Sequence, residues 1–183
     1  MKTFELLGIS GSLRAGSHNR ALIREAGRLM VDVSLTEADL DVPLYNGDLE
    51  DADGIPAAVQ KLADQIAAAD GVVISTPEYN QSFSGVLKNA LDWVSRCEGA
   101  PWKGKPVAIV SAAAGRAGGA RAQYALRLAM TPFRPRLLMG PEVMVAAAEA
   151  QFEAGRLLEG EAYERGLTVL MKLLKAEAAL IAS

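Results

Sequence analysis

Gly71-Val72-Val73-Ile74-Ser75-Thr76 constrains the fold of this chain more than any other stretch. It is a continuous β-branched run with no apolar–polar alternation, so both faces of the strand it forms must be covered. A strand of that kind belongs in the middle of a parallel sheet with helices above and below.

The flanking segments agree. Residues 4–9 are apolar and predict a first strand. Residues 20–30 then place Leu22, Ile23, Ala26, Leu29 and Met30 on one helical face. Residues 34–40 form a weaker second strand, and residues 41–55, acidic and broken by Pro43 and two glycines, a loop. In 56–69, Val59, Leu62 and Ile66 share a helical face behind a starting Pro56. After the central strand come a loop at 77–83, a helix at 84–93 with Leu87, Leu91 and Val94 on its inner stripe, and a strand at 106–112. A small-residue loop at 113–119 leads into a helix over 120–130. Residues 136–145 hold a fifth strand broken by Gly140-Pro141, and 151–160 are irregular. The final helix, 161–182, carries Leu167, Leu170, Met171, Leu174, Ala178 and Ile181 on one stripe.

Strand and helix alternate five times. Right-handed crossovers turn that pattern into an α/β three-layer sandwich, a five-stranded parallel sheet with helices on both faces. The order expected is 2-1-3-4-5, in one domain spanning residues 1–183. Ligands of such sheets sit beyond the carboxyl ends of the strands at the switch in strand order. Residues 9–19, 77–83 and 111–119 meet there.

The first of these loops is Ile9-Ser10-Gly11-Ser12-Leu13-Arg14-Ala15-Gly16-Ser17-His18-Asn19. It lies between a strand and a helix, where free backbone N–H groups and the positive helix end attract an anion. It matches neither G-x-G-x-x-G nor G-x-x-x-x-G-K-[ST]. Its donors are side chains: Ser10, Ser12, Ser17, Arg14 and Asn19. Many convergent donors suit a terminal phosphate monoester better than a bridging pyrophosphate. A plain Ser/Asn-rich turn, with Ser17 as helix cap, is the alternative. His18, the one histidine, is either a phosphate contact or a solvent-facing residue of the first helical turn. In the second loop, Pro77 stiffens the turn, the N–H groups of residues 78–80 can meet the edge of a flat heterocycle, and Tyr79 can wall it. Glu78 is structural or interfacial rather than a proton donor. Lys88 and Asp92 pair at i,i+4 on a solvated face. The third loop, Ser111 to Gly119, is small enough for close backbone approach.

Together the motifs Gly11-Ser12-Leu13-Arg14-x-x-Ser17-x-Asn19, Pro77-Glu78-Tyr79-Asn80-x-Ser82-x-x-Gly85-x-Leu87-Lys88-Asn89-Ala90-Leu91-Asp92-Trp93 and Gly118-Gly119-x-Arg121-x-Gln123 resemble the NAD(P)H-dependent FMN reductases of the flavodoxin-like fold. That group includes bacterial quinone and chromate reductases, and the resemblance covers nearly the whole chain. It implies that Ser10, Ser12, Arg14, Ser17, His18 and Asn19 bind the FMN phosphate. Pro77, Glu78, Tyr79 and Asn80 on one side, and Ser111, Gly115 and Gly118 on the other, would hold the isoalloxazine. NADPH or NADH would donate hydride, and a quinone-type or other small acceptor would take the electrons by ping-pong turnover. No catalytic side chain is expected, because the flavin carries the chemistry. Homodimers or homotetramers are usual in the family, which makes Tyr79, Trp93, Arg121 and Tyr124 interface candidates. The family commonly has proline at position 84; Ser84 here would loosen the start of its helix.

A flavodoxin-like electron carrier without direct nicotinamide oxidation is the alternative. The threonine- and glycine-rich phosphate loop of flavodoxins is absent, and a net charge of −3 is mild for one. That charge, without a basic cluster, also excludes nucleic acid and anionic membrane as expected partners. One cysteine, Cys97, rules out a disulfide framework and a cysteine metal site, and Cys97 is expected to be packed. Trp102 is a candidate for the cofactor entrance or a subunit contact. No signal-like start or membrane-length apolar run is present, so a cytoplasmic location is expected.

Overall fold

The computed structural model describes residues 3–158 and 161–182. β1 (Phe4–Ser10), β2 (Val33–Glu37), β3 (Gly71–Thr76) and β4 (Pro106–Ala112) are followed by two short strands, β5 (Arg136–Leu137) and β6 (Val143–Val145). The sheet runs β2-β1-β3-β4-β5, with β6 also on β4 and every pair parallel. β5 lies along Pro106–Val107 and β6 along Val110–Ala112, so both occupy the fifth position, interrupted at Gly140-Pro141.

The helices are α1 (His18–Arg28), α2 (Gly47–Asp53), α3 (Ala57–Ala68), α4 (Gly85–Val94), α5 (Ala120–Ala129) and α6 (Ala162–Ala182). Strand side chains alternate between faces. Leu6, Val73, Ala108 and Val110 pack with Leu22, Ile23, Leu167, Leu170, Met171 and Leu174 from α1 and α6. Leu7, Ile9, Val72, Ile74, Val107 and Ile109 pack on the other face with residues of α3, α4 and α5, among them Ile66, Leu91, Trp93 and Leu126. β3 and β4 are buried at every position, as an unalternating run requires. The α6 stripe holds except at Ile181, which is exposed near the chain end. No helix among the described residues is long and apolar enough to cross a membrane.

Two segments differ from the sequence expectation. The loop at 41–55 contains α2, which buries no residue and so shows no apolar period. Asn46 caps it by accepting from the Asp48 N–H at 3.0 Å, acids fill its first turn, and Gly54 ends it. The irregular 151–160 segment contains an antiparallel hairpin of β7 (Phe152–Glu153) and β8 (Arg156–Leu157). Leu157 is buried with the α1–α6 core. A buried Glu25 on α1 stands 3.8 Å from Arg156 of the hairpin and 2.9 Å from Arg28, which also reaches Glu164 of α6 at 2.7 Å. Those carboxylates, Glu25 first, push the Arg28 guanidinium further up.

Candidate functional site

Three loops leave the carboxyl ends of β1, β3 and β4 on the same rim of the sheet. The first folds as a donor cradle. Ser17 is the α1 cap, its Oγ accepting from the Arg20 N–H at 3.4 Å. Ser10 Oγ donates to the Ser12 carbonyl and accepts the Ser12 N–H, while Ser12 Oγ accepts the Arg14 N–H at 3.4 Å. Among the described residues, the backbone N–H groups of Leu13, Ala15, Gly16, His18 and Asn19 have no acceptor within the chain. Arg14 is exposed and meets no acid among the described residues. Unpaired N–H groups, a helix amino end and a free guanidinium form a cradle for an anion rich in acceptors.

Asn19 departs from the expected side-chain phosphate contact. It is 4% exposed, and its amide bridges two strands. Nδ2 donates to the Ala112 carbonyl at 2.9 Å; Oδ1 accepts from the Ala112 N–H at 3.0 Å and from Ser75 Oγ at 2.8 Å. The side chain therefore closes the ends of β3 and β4 as a strand would, with its oxygen and one of its two amide hydrogens engaged. His18 is half-buried, with its ring stacked on Phe152 at 5.2 Å between centroids. That ring contact ties the hairpin to the loop.

In the second loop Tyr79 and Ser82 exchange both backbone hydrogen bonds across Asn80 and Gln81, which have φ of 50° and 66°. The Tyr79 N–H is thus taken, a correction to the expectation that residues 78–80 all donate outward. The N–H groups of Glu78 and Asn80 have no acceptor among the described residues, and Tyr79 is 52% exposed. The Glu78 carboxylate turns to α5, accepting from the N–H groups of Arg121 at 3.1 Å and Ala122 at 3.4 Å. α5 needs that acceptor from another loop because Gly119, at its own cap position, has no side chain. Ser84 does not loosen α4: it is buried and caps the helix, its Oγ accepting from Leu87 N–H at 3.3 Å.

The third loop is fixed from behind. Ser111 Oγ donates to the Gly118 carbonyl and accepts from Gln123 Nε2, which also donates to the Val143 carbonyl, both at 2.9 Å. Ser111 is wholly buried, so its hydroxyl shapes the loop from within. Gly118 has φ of 59°, and a Cβ there would stand 2.2 Å from the Met144 carbonyl oxygen. Gly115 sits on the open part of the loop, where the N–H groups of Ala114, Gly115, Arg116 and Ala117 have no acceptor among the described residues.

The chemistry of this donor set fits a phosphate monoester at one end and a flat, hydrogen-bonding heterocycle at the other. The family model described as NADPH-dependent FMN reductase matches residues 4–150. The chain belongs to that family. It is 50% identical over 163 residues to an NAD(P)H-dependent FMN reductase of Pseudomonas aeruginosa, covering 87% of this chain and 88% of that one. It is 43% identical over 143 residues to a quinone reductase of Escherichia coli K12, covering 76% of each. Among solved structures, FerB, a flavoenzyme NAD(P)H:(acceptor) oxidoreductase from Paracoccus denitrificans, superposes with a TM-score of 0.80 at 32% identity, covering 98% of this chain and 97% of that one. The flavodoxin-like fold is shared with it.

Family membership leaves several residues to be placed by structure alone. Trp102, a sequence candidate for the cofactor entrance or a subunit contact, is buried in the α3–α5 layer, and its Nε1 has no partner among the described residues. Trp93 is fully buried, with Nε1 donating to the Pro43 carbonyl at 2.7 Å, so it is not an interface residue. Cys97 is buried, and burial pushes its thiol up, which suits packing rather than reactivity. Lys88 and Asp92 pair on the surface as expected. A recess of about 480 Å³ between the carboxyl-terminal ends of α4 and α5 is lined by Leu91, Cys97, Trp102 and Phe133. Its place at the far ends of those helices separates it from the donor rim. No group of three or more metal-ligating side chains occurs among the described residues.

Sequence reasoning missed the role of Gln123 as a brace, and it read Glu78 as structural or interfacial without its α5 partners. Both lay in the quoted motifs, but only their partners, distant in sequence, reveal what they hold.

Proposed function

We propose that this chain is an NAD(P)H-dependent, FMN-containing oxidoreductase that reduces quinones or similar flat acceptors. The row of unpaired N–H groups beside Arg14 carries the reading, since it lies where the β1–α1 turn can grip a phosphate dianion. The names of the Pseudomonas and Escherichia relatives support the donor and acceptor classes.

In this reading Ser12, Arg14, Ser17 and the backbone N–H groups from Leu13 to Asn19 bind the phosphate, with His18 at their edge. Ser10 and the Asn19 side chain hold that cradle in shape. Pro77 sets the turn, Asn80 and Glu78 offer N–H groups to the ring edge, and Tyr79 forms a wall. Gly115 offers its N–H from the opposite loop, with Ser111 and Gly118 bracing that loop beneath. FMN, when bound, supplies hydride uptake at ring N5 from nicotinamide C4 and delivery of the electrons to the acceptor. The chain's part is to fix the phosphate, orient the ring and leave one face open for donor and acceptor in turn. No side chain of the loops is required to carry a proton.

The same reading takes residues 1–183 as one FMN-binding domain acting in the cytoplasm, where reduced nicotinamides circulate. A homodimer or homotetramer is proposed from Tyr124 and Leu128, 54% and 75% exposed one turn apart on α5. A single-chain mass by size exclusion would contradict it.

The test is direct. Purified protein mixed with FMN should turn yellow and oxidise NADPH or NADH when benzoquinone is added. Failure to take up FMN overturns the proposal. Flavin that stays oxidised anaerobically with both NADPH and NADH would instead indicate an electron carrier.

A further inference from the structure

Glu78 occupies an unusual electrostatic position. It leaves the loop after β3, crosses to the amino end of α5 and takes the first N–H groups there. Those groups carry the positive end of the helix dipole. The carboxylate side chain is only 16% exposed, while its ion pair with Arg121 is loose, 3.5 Å to a guanidinium that is 60% exposed. An exposed partner of that kind offsets part of the carboxylate charge and leaves the rest standing. Glu78 therefore leaves a carboxylate charge between the two loops proposed to flank the ring, and it cancels a helix end that would otherwise present positive charge there.

We infer that Glu78 lowers the reduction potential of the bound flavin, acting as a positioning residue through charge and through α5. The inference rests on the FMN reading. Hydride uptake moves two electrons and one proton from nicotinamide C4 to the ring and leaves the ring one negative charge richer. A nearby fixed carboxylate opposes that gain. The neutralised α5 dipole removes a field that would favour it. Both effects hold the potential down, so that reduced flavin passes electrons on more readily to its acceptor.

The experiment measures the midpoint potential of FMN in the loaded protein for wild type, Glu78→Gln, Glu78→Asp and Arg121→Ala, with FMN affinity measured alongside. Glu78→Gln keeps an oxygen to accept from the Arg121 and Ala122 N–H groups but removes the charge. It should bind FMN with a less negative potential than wild type. Glu78→Asp keeps the charge and should stay nearer the wild-type value. Arg121→Ala removes the partial counter-charge and should shift the potential the opposite way from Glu78→Gln. That arm also decides the matter if Glu78→Gln does not fold. An unchanged potential in Glu78→Gln overturns the inference, as does Glu78→Asp matching Glu78→Gln, or Arg121→Ala leaving the potential where it was. Wild-type protein that binds no FMN overturns the functional reading instead, so the two failures are distinct.

Discussion

Replacing Asn19 with alanine separates a ligand role from a structural one. The side chain makes three buried hydrogen bonds, two to Ala112 and one to Ser75. At a net of about 1 kcal/mol for each bond, the loss is about 3 kcal/mol. Ala112 would keep a buried N–H and a buried carbonyl without partners, which pushes the cost upward. A water entering the space left by the amide would bring it back down. For a domain of this size, 1 kcal/mol moves the thermal midpoint by about 2–4 °C, so Asn19→Ala should unfold roughly 6–12 °C lower. The assay is thermal unfolding of the FMN-free protein, followed by circular dichroism. FMN should then raise the midpoint of variant and wild type by similar amounts, because the bonds the side chain makes are all within the protein. An FMN-free midpoint equal to wild type, with the loss confined to FMN affinity, would refute the strap and restore a side-chain phosphate contact.

Three more outcomes are expected. Arg14→Ala should weaken FMN binding by about 1.5–3 kcal/mol, the range for a hydrogen bond to a charged group, in a fluorescence titration; the FMN-free midpoint should not move. Gly118→Ala forces a Cβ against the Met144 carbonyl in left-handed backbone, so it should destabilise the FMN-free protein by about 1–3 kcal/mol in urea unfolding. The Arg96 guanidinium, and then the Tyr45 hydroxyl, holds the Glu50 carboxyl below the usual carboxylate range. A depressed folded value means that this contact contributes fully above the ordinary glutamate range and is lost as pH falls through the depressed value. Hydrogen exchange in α2 should therefore quicken on acidification at constant intrinsic rate, and Arg96→Ala should remove that pH dependence; identical profiles would show that Glu50 does not anchor α2.

The sheet was legible because its signal is local and strong. β3 and β4 coincide with their unalternating runs, and helices with a buried face declare themselves by their period. α2 escaped because it buries nothing; its only marks were the Asn46 cap, the first-turn acids and Gly54. The hairpin at residues 152–157 escaped because each strand has only two residues, too few to show alternation.

The site divides along the same line. Residue types and spacing in the chain already marked the β1–α1 turn as donor-rich and suited to the anion proposed for it, since a turn between strand and helix presents its N–H groups whatever packs around it. Which donors remain free was decided only by tertiary packing. Asn19 is drawn away to Ala112 and Ser75, the Tyr79 N–H to Ser82, and the Glu78 carboxylate to α5. Each of these groups could equally have faced a ligand by sequence. Leaving a buried backbone polar group without a partner is costly, and the side chain that satisfies it is chosen by the fold, from a distant part of the chain.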